Sequence, residues 1–162
     1  MAGLGAIVAG MNLTIDKSGR TYHLRTDDGR EVGDFRGHWS LFGGSLHAGE
    51  RSWDIHATDR GHCGMIVGPD ADPLVRLHPD QSVLPSGPAT WQLTRRRGRY
   101  RAILRRGNDV LSLQLRHGHV DIEATGPWAP VEVLAAGFAI LARRRHDRLA
   151  AAAVAVAISH PH

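Results

Sequence analysis

Apolar and polar residues alternate along most of this chain with a period of two, interrupted at short intervals by glycine-containing dipeptides. That is the signature of half-buried strands joined by hairpins. The alternation is sharpest between Trp91 and Ala124. Two-residue turns at Arg97-Gly98, Gly107-Asn108 and His117-Gly118 place Trp91 opposite Leu104, Leu104 opposite Leu111, and Leu111 opposite Ala124. The same register aligns Leu93, Ala102, Leu113 and Ile122 in a second inward row, and Tyr100, Leu115 and Val120 in a third. A slip of one residue would turn a strand's whole apolar set to the wrong face, so agreement among the rows specifies an antiparallel meander.

The front half follows the same logic. A turn at Asp28-Gly29 sets Tyr22 opposite Phe35 and Leu24 opposite Gly33. A Gly43-Gly44 turn pairs Leu41 with Leu46 and Trp39 with Ala48; Gly49-Glu50 pairs Leu46 with Trp53; Arg60-Gly61 pairs Ile55 with Ile66. A short strand is expected around Leu74 to Leu77. The Pro-rich stretch from His78 to Pro88 is expected to be the one long connection, dividing the sheet into two halves. Strands counted from Leu13 to Thr125 number about twelve, at a spacing typical of a sandwich or barrel.

The period then changes. Val131 to Ala142 is apolar except for Glu132 and has no polar stripe, so a helix there must be surrounded by apolar groups. At about 18 Å it is too short for the ~30 Å core of a bilayer. Pro130 suits a first helical position and Glu132 the positive end, while Arg143, Arg144 and Arg145 suit the negative end. Closure is the complete solution to exposed sheet edges, and a barrel of more than eight strands needs contents. The helix is the natural filling. The expected fold is therefore all-β with one C-terminal helix: a closed antiparallel barrel of about twelve strands around a central hydrophobic helix. The segments divide as an apolar leader over 1–11, with the first ten residues weakly packed, a barrel domain over 12–146 with its buried helix at 130–145, and a tail over 147–162. The apolar run from Leu149 to Ile158 fits a continued helix, a strand cap or a loose tail equally well.

This combination resembles the superfamily that contains the tubby C-terminal domain, the LURP-one-related proteins and the phospholipid scramblases. The resemblance covers about Leu13 to Arg145. It rests on the hairpin series from Thr21-Tyr22-His23-Leu24 onward and on the run Val131-Glu132-Val133-Leu134-Ala135-Ala136-Gly137-Phe138-Ala139-Ile140-Leu141. It implies a twelve-stranded barrel around a hydrophobic helix and a module acting at its surface, including at acidic membrane lipids. The family helix usually ends the protein, whereas here residues follow Arg145. No scramblase calcium loop is present, so calcium dependence does not carry over.

Charge narrows the chemistry only slightly. The net charge is +4 and Lys17 is the only lysine. Codon bias in a GC-rich genome accounts for such an imbalance, and so does affinity for phosphates, which suit the guanidinium fork. Outward positions of the last four strands form rows reading Arg96, Arg99, Arg116, His119, then Thr94, Arg101, Gln114, Asp121, then Gln92, Ile103, Ser112, Glu123. Arg95 to Arg106 holds seven arginines and no acid. Facing like charges destabilise a sheet, so the row is either a solvated rim or an anion site built on Arg96, Arg99, Arg101, Arg116 and His119. Acidic lipid is favoured over nucleic acid as the ligand by the resemblance. It is also favoured because a sheet that stacks bases exposes aromatics, whereas Tyr100 should point inward.

Histidine pairs at His117/His119 and His160/His162, and the group His56, His62 and Cys63, lack metal-ligand spacing. The single cysteine fits a reducing compartment and a buried apolar role. The acids Asp27, Asp28, Asp59, Asp70, Asp72 and Asp80 are scattered at turns, and no Gly-x-Ser-x-Gly or phosphate loop occurs. The expectation is a non-enzymatic, cytoplasmic module, peripheral at the membrane, without cofactor, metal or transmembrane span, whose partner is an acidic lipid or a protein. The competing reading is a calycin-like carrier, with an apolar cavity lined by Trp39, Trp53 and Trp91 and the helix packed outside. A nucleic-acid-binding module comes third.

Overall fold

The computed structural model describes residues 8–58, 64–69 and 71–159. Among them are twelve strands, β1 (Val8–Ser18), β2 (Thr21–Thr26), β3 (Glu31–Gly37), β4 (Gly43–Ala48), β5 (Arg51–Ala57), β6 (Met65–Val67), β7 (Val75–Leu77), β8 (Ser82–Leu84), β9 (Gly87–Arg96), β10 (Arg99–Arg106), β11 (Asp109–Arg116) and β12 (His119–Trp128), followed by one helix, α1 (Pro130–Ser159). Each strand pairs antiparallel with its chain neighbours, and β1 pairs with β12 to close the barrel.

The last four strands adopt the expected register: Leu104 lies between Trp91 and Leu111, Leu111 faces Ala124, and Leu113 lies between Ala102 and Ile122. Arg97 and Gly98, and likewise His117 and Gly118, all have positive φ, as type I′ turns require. Tyr22 faces Phe35 and Leu24 faces Gly33, as expected. The turn itself is longer, because Gly29 N bonds to Thr26 O and Thr26 N to Arg30 O, while a bulge at Val32 absorbs the extra residue.

Four expectations are corrected. Gly43 and Gly44 are not a turn. They begin β4, where Gly44 faces Gly37 and Leu46 faces Phe35 as well as Trp53. The chain reverses instead at His38 to Phe42, through Leu41 N to His38 O and His38 N to Gly43 O. Trp39 therefore sits outside at 75% exposure, while Leu41 stays buried. The reason is steric: a Cβ on Gly44 would collide with the Arg36 carbonyl, the Gly37 backbone and the Phe138 ring, so this glycine provides space rather than turn geometry. Second, Ile55 faces Val67, not Ile66, because Thr58 N bonds to Gly64 O and the connection has an odd length. Third, His78 to Pro88 contains β8 and the start of β9, so the sheet is continuous there. The Ser82 hydroxyl bonds to both the N–H and the carbonyl of His78 and substitutes for ladder bonds in this short connection. Fourth, β1 starts at Val8, paired with Trp128, inside the expected leader. Residues 1–7 lie outside the described residues, as do Asp59, His62, Cys63, Asp70, His160 and His162.

Pro130 to Ala142 and His146 are buried, so α1 threads the barrel. Its start is capped from within the chain. Glu132 Oε1 accepts from Ala129 N at 2.8 Å, Ser86 donates to Oε2 at 3.0 Å, and Arg106 Nη1 lies 3.5 Å away. This is the reciprocal half of a capping box. Glycines admit the helix to the wall: a Cβ on Gly33 would meet Leu134, one on Gly37 or Gly44 would meet Phe138, and one on Gly137 would meet Ile15. The helix does not stop at the arginines, as expected, but continues to Ser159, which resolves the tail as helix. Along its longest strands, such as the ten-residue β9 and β12, a tilt of ~40° makes the wall ~25 Å tall, a height that a helix of about seventeen residues fills. The rest of α1 projects beyond the wall.

Candidate functional site

The helix enters the barrel after β12 and leaves at the end that carries the β1–β2, β3–β4, β9–β10 and β11–β12 turns. At the exit, Phe42 stacks on His146 with ring centroids 4.1 Å apart. The Tyr100 hydroxyl donates to Asp147 at 2.8 Å, and Arg143 Nε donates to the same carboxylate at 3.1 Å. Burial and the Asp147 carboxylate raise the Tyr100 pKa above its ordinary value. Burial, followed by the Asp147 hydrogen bond, thus keeps this hydroxyl protonated as a donor. Arg95 Nη1 also approaches Asp147, at 3.6 Å, with its guanidinium over the Tyr100 ring. One acid at the exit is therefore fully engaged.

The register brings four of the five expected anion residues, Arg96, Arg99, Arg101 and Arg116, to two pockets, and leaves His119 outside both. Thr94, Arg96, Arg97, Arg99 and Arg101 line a surface pocket of about 520 Å³. On the other side of Arg99, a second pocket of about 450 Å³ is lined by Gly98, Arg99, Tyr100, Gln114, Leu115, Arg116, His117, Arg144 and Arg148. Neither lining contains a carboxylate. Arg116 Nε lies 3.3 Å from Asp121, and His119 Nε2 lies 3.4 Å from the same residue, so His119 stands apart from the second pocket, sharing Arg116's counter-ion. Burial, and next the neighbouring Arg148 charge, lower the Arg144 pKa from its usual value. Of these two causes, the repulsion between Arg144 and Arg148 is the one that a bound anion would relieve.

Arg144, Arg148 and His117 were not among the residues expected from the sequence. The cluster Arg143-Arg144-Arg145-His146-Asp147-Arg148 between two apolar runs carries the signal. Read as a helix terminus it complements a dipole; on a helix that continues, it becomes a collar at the barrel mouth. A third pocket, about 530 Å³, extends that collar with Lys17, Arg20, His38, Trp39 and Arg145. The seven arginines of Arg95 to Arg106 separate accordingly. Arg106 belongs to the opposite end, bonded to Asp109 and Ser86 and 4.4 Å from the Trp128 ring centroid, where it neutralises Glu132.

The interior needed by a carrier is occupied by α1, and its three tryptophans are dispersed: Trp91 is buried, Trp53 half-buried and Trp39 exposed. No protein-family model, curated protein or solved structure matches this chain.

Proposed function

We propose that this protein is a non-enzymatic barrel module that binds acidic phospholipid headgroups through the arginine collar around the helix exit. The observation that carries the reading is one pocket shared by Arg99, Arg116, Arg144 and Arg148 without a carboxylate in its lining. Four guanidinium forks converging from two strands and the helix match a phosphorylated headgroup better than a single ion pair would. The fold is the one implied by the resemblance to the tubby, LURP-one and scramblase superfamily, which supports lipid as the ligand and a peripheral position on a cytoplasmic membrane face. A nucleic-acid reading gains nothing from Tyr100, which is 5% exposed and bonded to Asp147, so it offers no base a stacking surface.

The test is co-sedimentation with phosphatidylcholine vesicles, with and without phosphatidylserine or a phosphoinositide, at low and high salt. Binding should require the anionic lipid and weaken with salt. Each basic residue near an anionic surface contributes ~1 kcal/mol, so reversing Arg99→Glu and Arg116→Glu together should reduce affinity by at least about tenfold. Binding that ignores both substitutions, or is absent at low salt, overturns the proposal. Tighter binding to duplex DNA than to such vesicles would move the site to the nucleic-acid class.

A further inference from the structure

Beyond the half-buried Leu149, the last part of α1 stands clear of the barrel wall. Every residue from Ala150 to Ser159 is exposed, including Val154 at 59%, Val156 at 62% and Ile158 at 72%. From Leu149 to Ile158 there is no charged or polar side chain. At 100° per residue, Val154 and Ile158 lie ~40° apart and Val156 faces nearly the opposite way. The segment is therefore apolar all round, unlike an amphipathic helix made to lie in a groove. A protein surface covers one face of such a helix and leaves the other in water. A hydrocarbon layer covers both.

Charge at the base of the projection selects the surface that supplies that layer. Arg144, Arg145 and Arg148 ring the helix where it leaves the wall, and Arg99, Arg116 and Lys17 line the adjoining pockets. Trp39 and Phe42, 75% and 43% exposed, lie at the same end, where an aromatic belt at headgroup level would sit. We propose that residues 149–158 insert as a peg into one leaflet of an anionic bilayer, with the arginine collar seated on the headgroups. Ten residues extend about 15 Å, half of the ~30 Å hydrocarbon core, so the peg reaches the bilayer midplane without crossing. No helix of the described residues is long and apolar enough to cross a membrane. An apolar insertion combined with a basic surface is the two-signal arrangement that gives stable peripheral attachment. This inference rests on the acidic-lipid reading and adds depth of insertion and orientation to it.

The test uses the full chain with Cys63→Ser and Ala155→Cys carrying an environment-sensitive nitrobenzoxadiazole label. With phosphatidylcholine–phosphatidylserine vesicles, emission should shift to the blue and be quenched more by acyl-chain doxyl groups than by headgroup nitroxides. Adding Val154→Asp and Ile158→Asp should abolish the shift and weaken vesicle binding by about tenfold or more, given the loss of buried apolar area. The thermal midpoint of this variant should stay unchanged, showing that the barrel is intact. If the protein sediments with the vesicles while the label remains in water, the collar binds lipid and the peg is overturned alone. Failure to sediment overturns both. A blue shift without vesicles that grows with protein concentration would mean that a second copy covers the helix, and also overturns the peg.

Discussion

Gly44 shows how one atom decides the relation between wall and filling. The glycine sits in β4 with the Arg36 carbonyl and Phe138 against the space a Cβ would occupy. Backbone is the obstacle on one side and a fully buried ring on the other, so neither yields cheaply. Gly44→Ala should destabilise the barrel by about 1–3 kcal/mol, the usual cost of overpacking, read as a lower denaturation midpoint at unchanged slope. Gly49, with positive φ and open space around it, is the contrasting case: alanine there strains a turn but meets no neighbour. His146 is the residue whose state should follow pH. Desolvation lowers its pKa from 6.5, against opposing backbone contacts from Leu41 and Ser40 and the charge of Asp147. A lowered folded value means the unfolded chain takes up the proton first. The contribution of neutral His146 is then complete above about pH 6.5 and declines as pH falls through the lowered folded value. The thermal midpoint should drop further between pH 7.5 and 5.5 in the wild type than in His146→Phe, which keeps the ring against Phe42 and cannot titrate. Equal drops in both would show that the histidine does not report on pH.

For α1, the start carries more electrostatic weight than the exit. Glu132 is 1% exposed and depends on Ala129 N, Ser86 and Arg106 for compensation. Removing one partner of a buried ion pair leaves the other charge stranded, at a typical cost of 3–5 kcal/mol. Arg106→Ala should approach that figure in a denaturant titration, while Arg105→Ala on the exposed face of the same strand should cost less than about 0.5 kcal/mol. A similar loss from both would show that Glu132 needs no counter-ion. Helix length was the element-level property that sequence patterning left open, between a continued helix, a strand cap and a loose tail. Three successive arginines after an apolar run satisfy a helix C-terminus by dipole arguments, yet nothing after Arg145 breaks the helix, since Leu149 to Ala157 contain no glycine or proline and are mostly alanine, the best helix former. The misplaced Gly43-Gly44 turn has a related cause. Glycine serves both for positive φ and for close approach, and a linear pattern cannot say which before the partner across the core is known.

On the scale of the whole molecule, α1 has one part that fills the barrel and another that leaves it. The strands can enclose only about seventeen helical residues, so the projection is independent of folding. A chain ending at Arg148 should keep its thermal midpoint within about 1 °C of the full protein, inside the 2–4 °C that 1 kcal/mol produces in domains of roughly 150–250 residues. A larger fall would mean that residues 149–159 pack on the barrel. The same chain should retain the salt-sensitive part of vesicle binding, because Arg99, Arg116, Arg144 and Arg148 all remain.

The sequence by itself determined the meander from Trp91 to Ala124, the closed barrel and the helix within it. Period-two rows admit one register, and a helix without a polar stripe admits one surrounding. It also identified Arg96, Arg99, Arg101 and Arg116 as neighbours, because outward rows follow from inward ones. Only the tertiary structure decided that Arg144 and Arg148 join them, that Trp39 lies outside, and that α1 continues past the mouth. Those facts depend on barrel height against helix length and on where the helix emerges. Both are distances between elements far apart in the chain, and no local pattern of hydrophobic and polar residues encodes them.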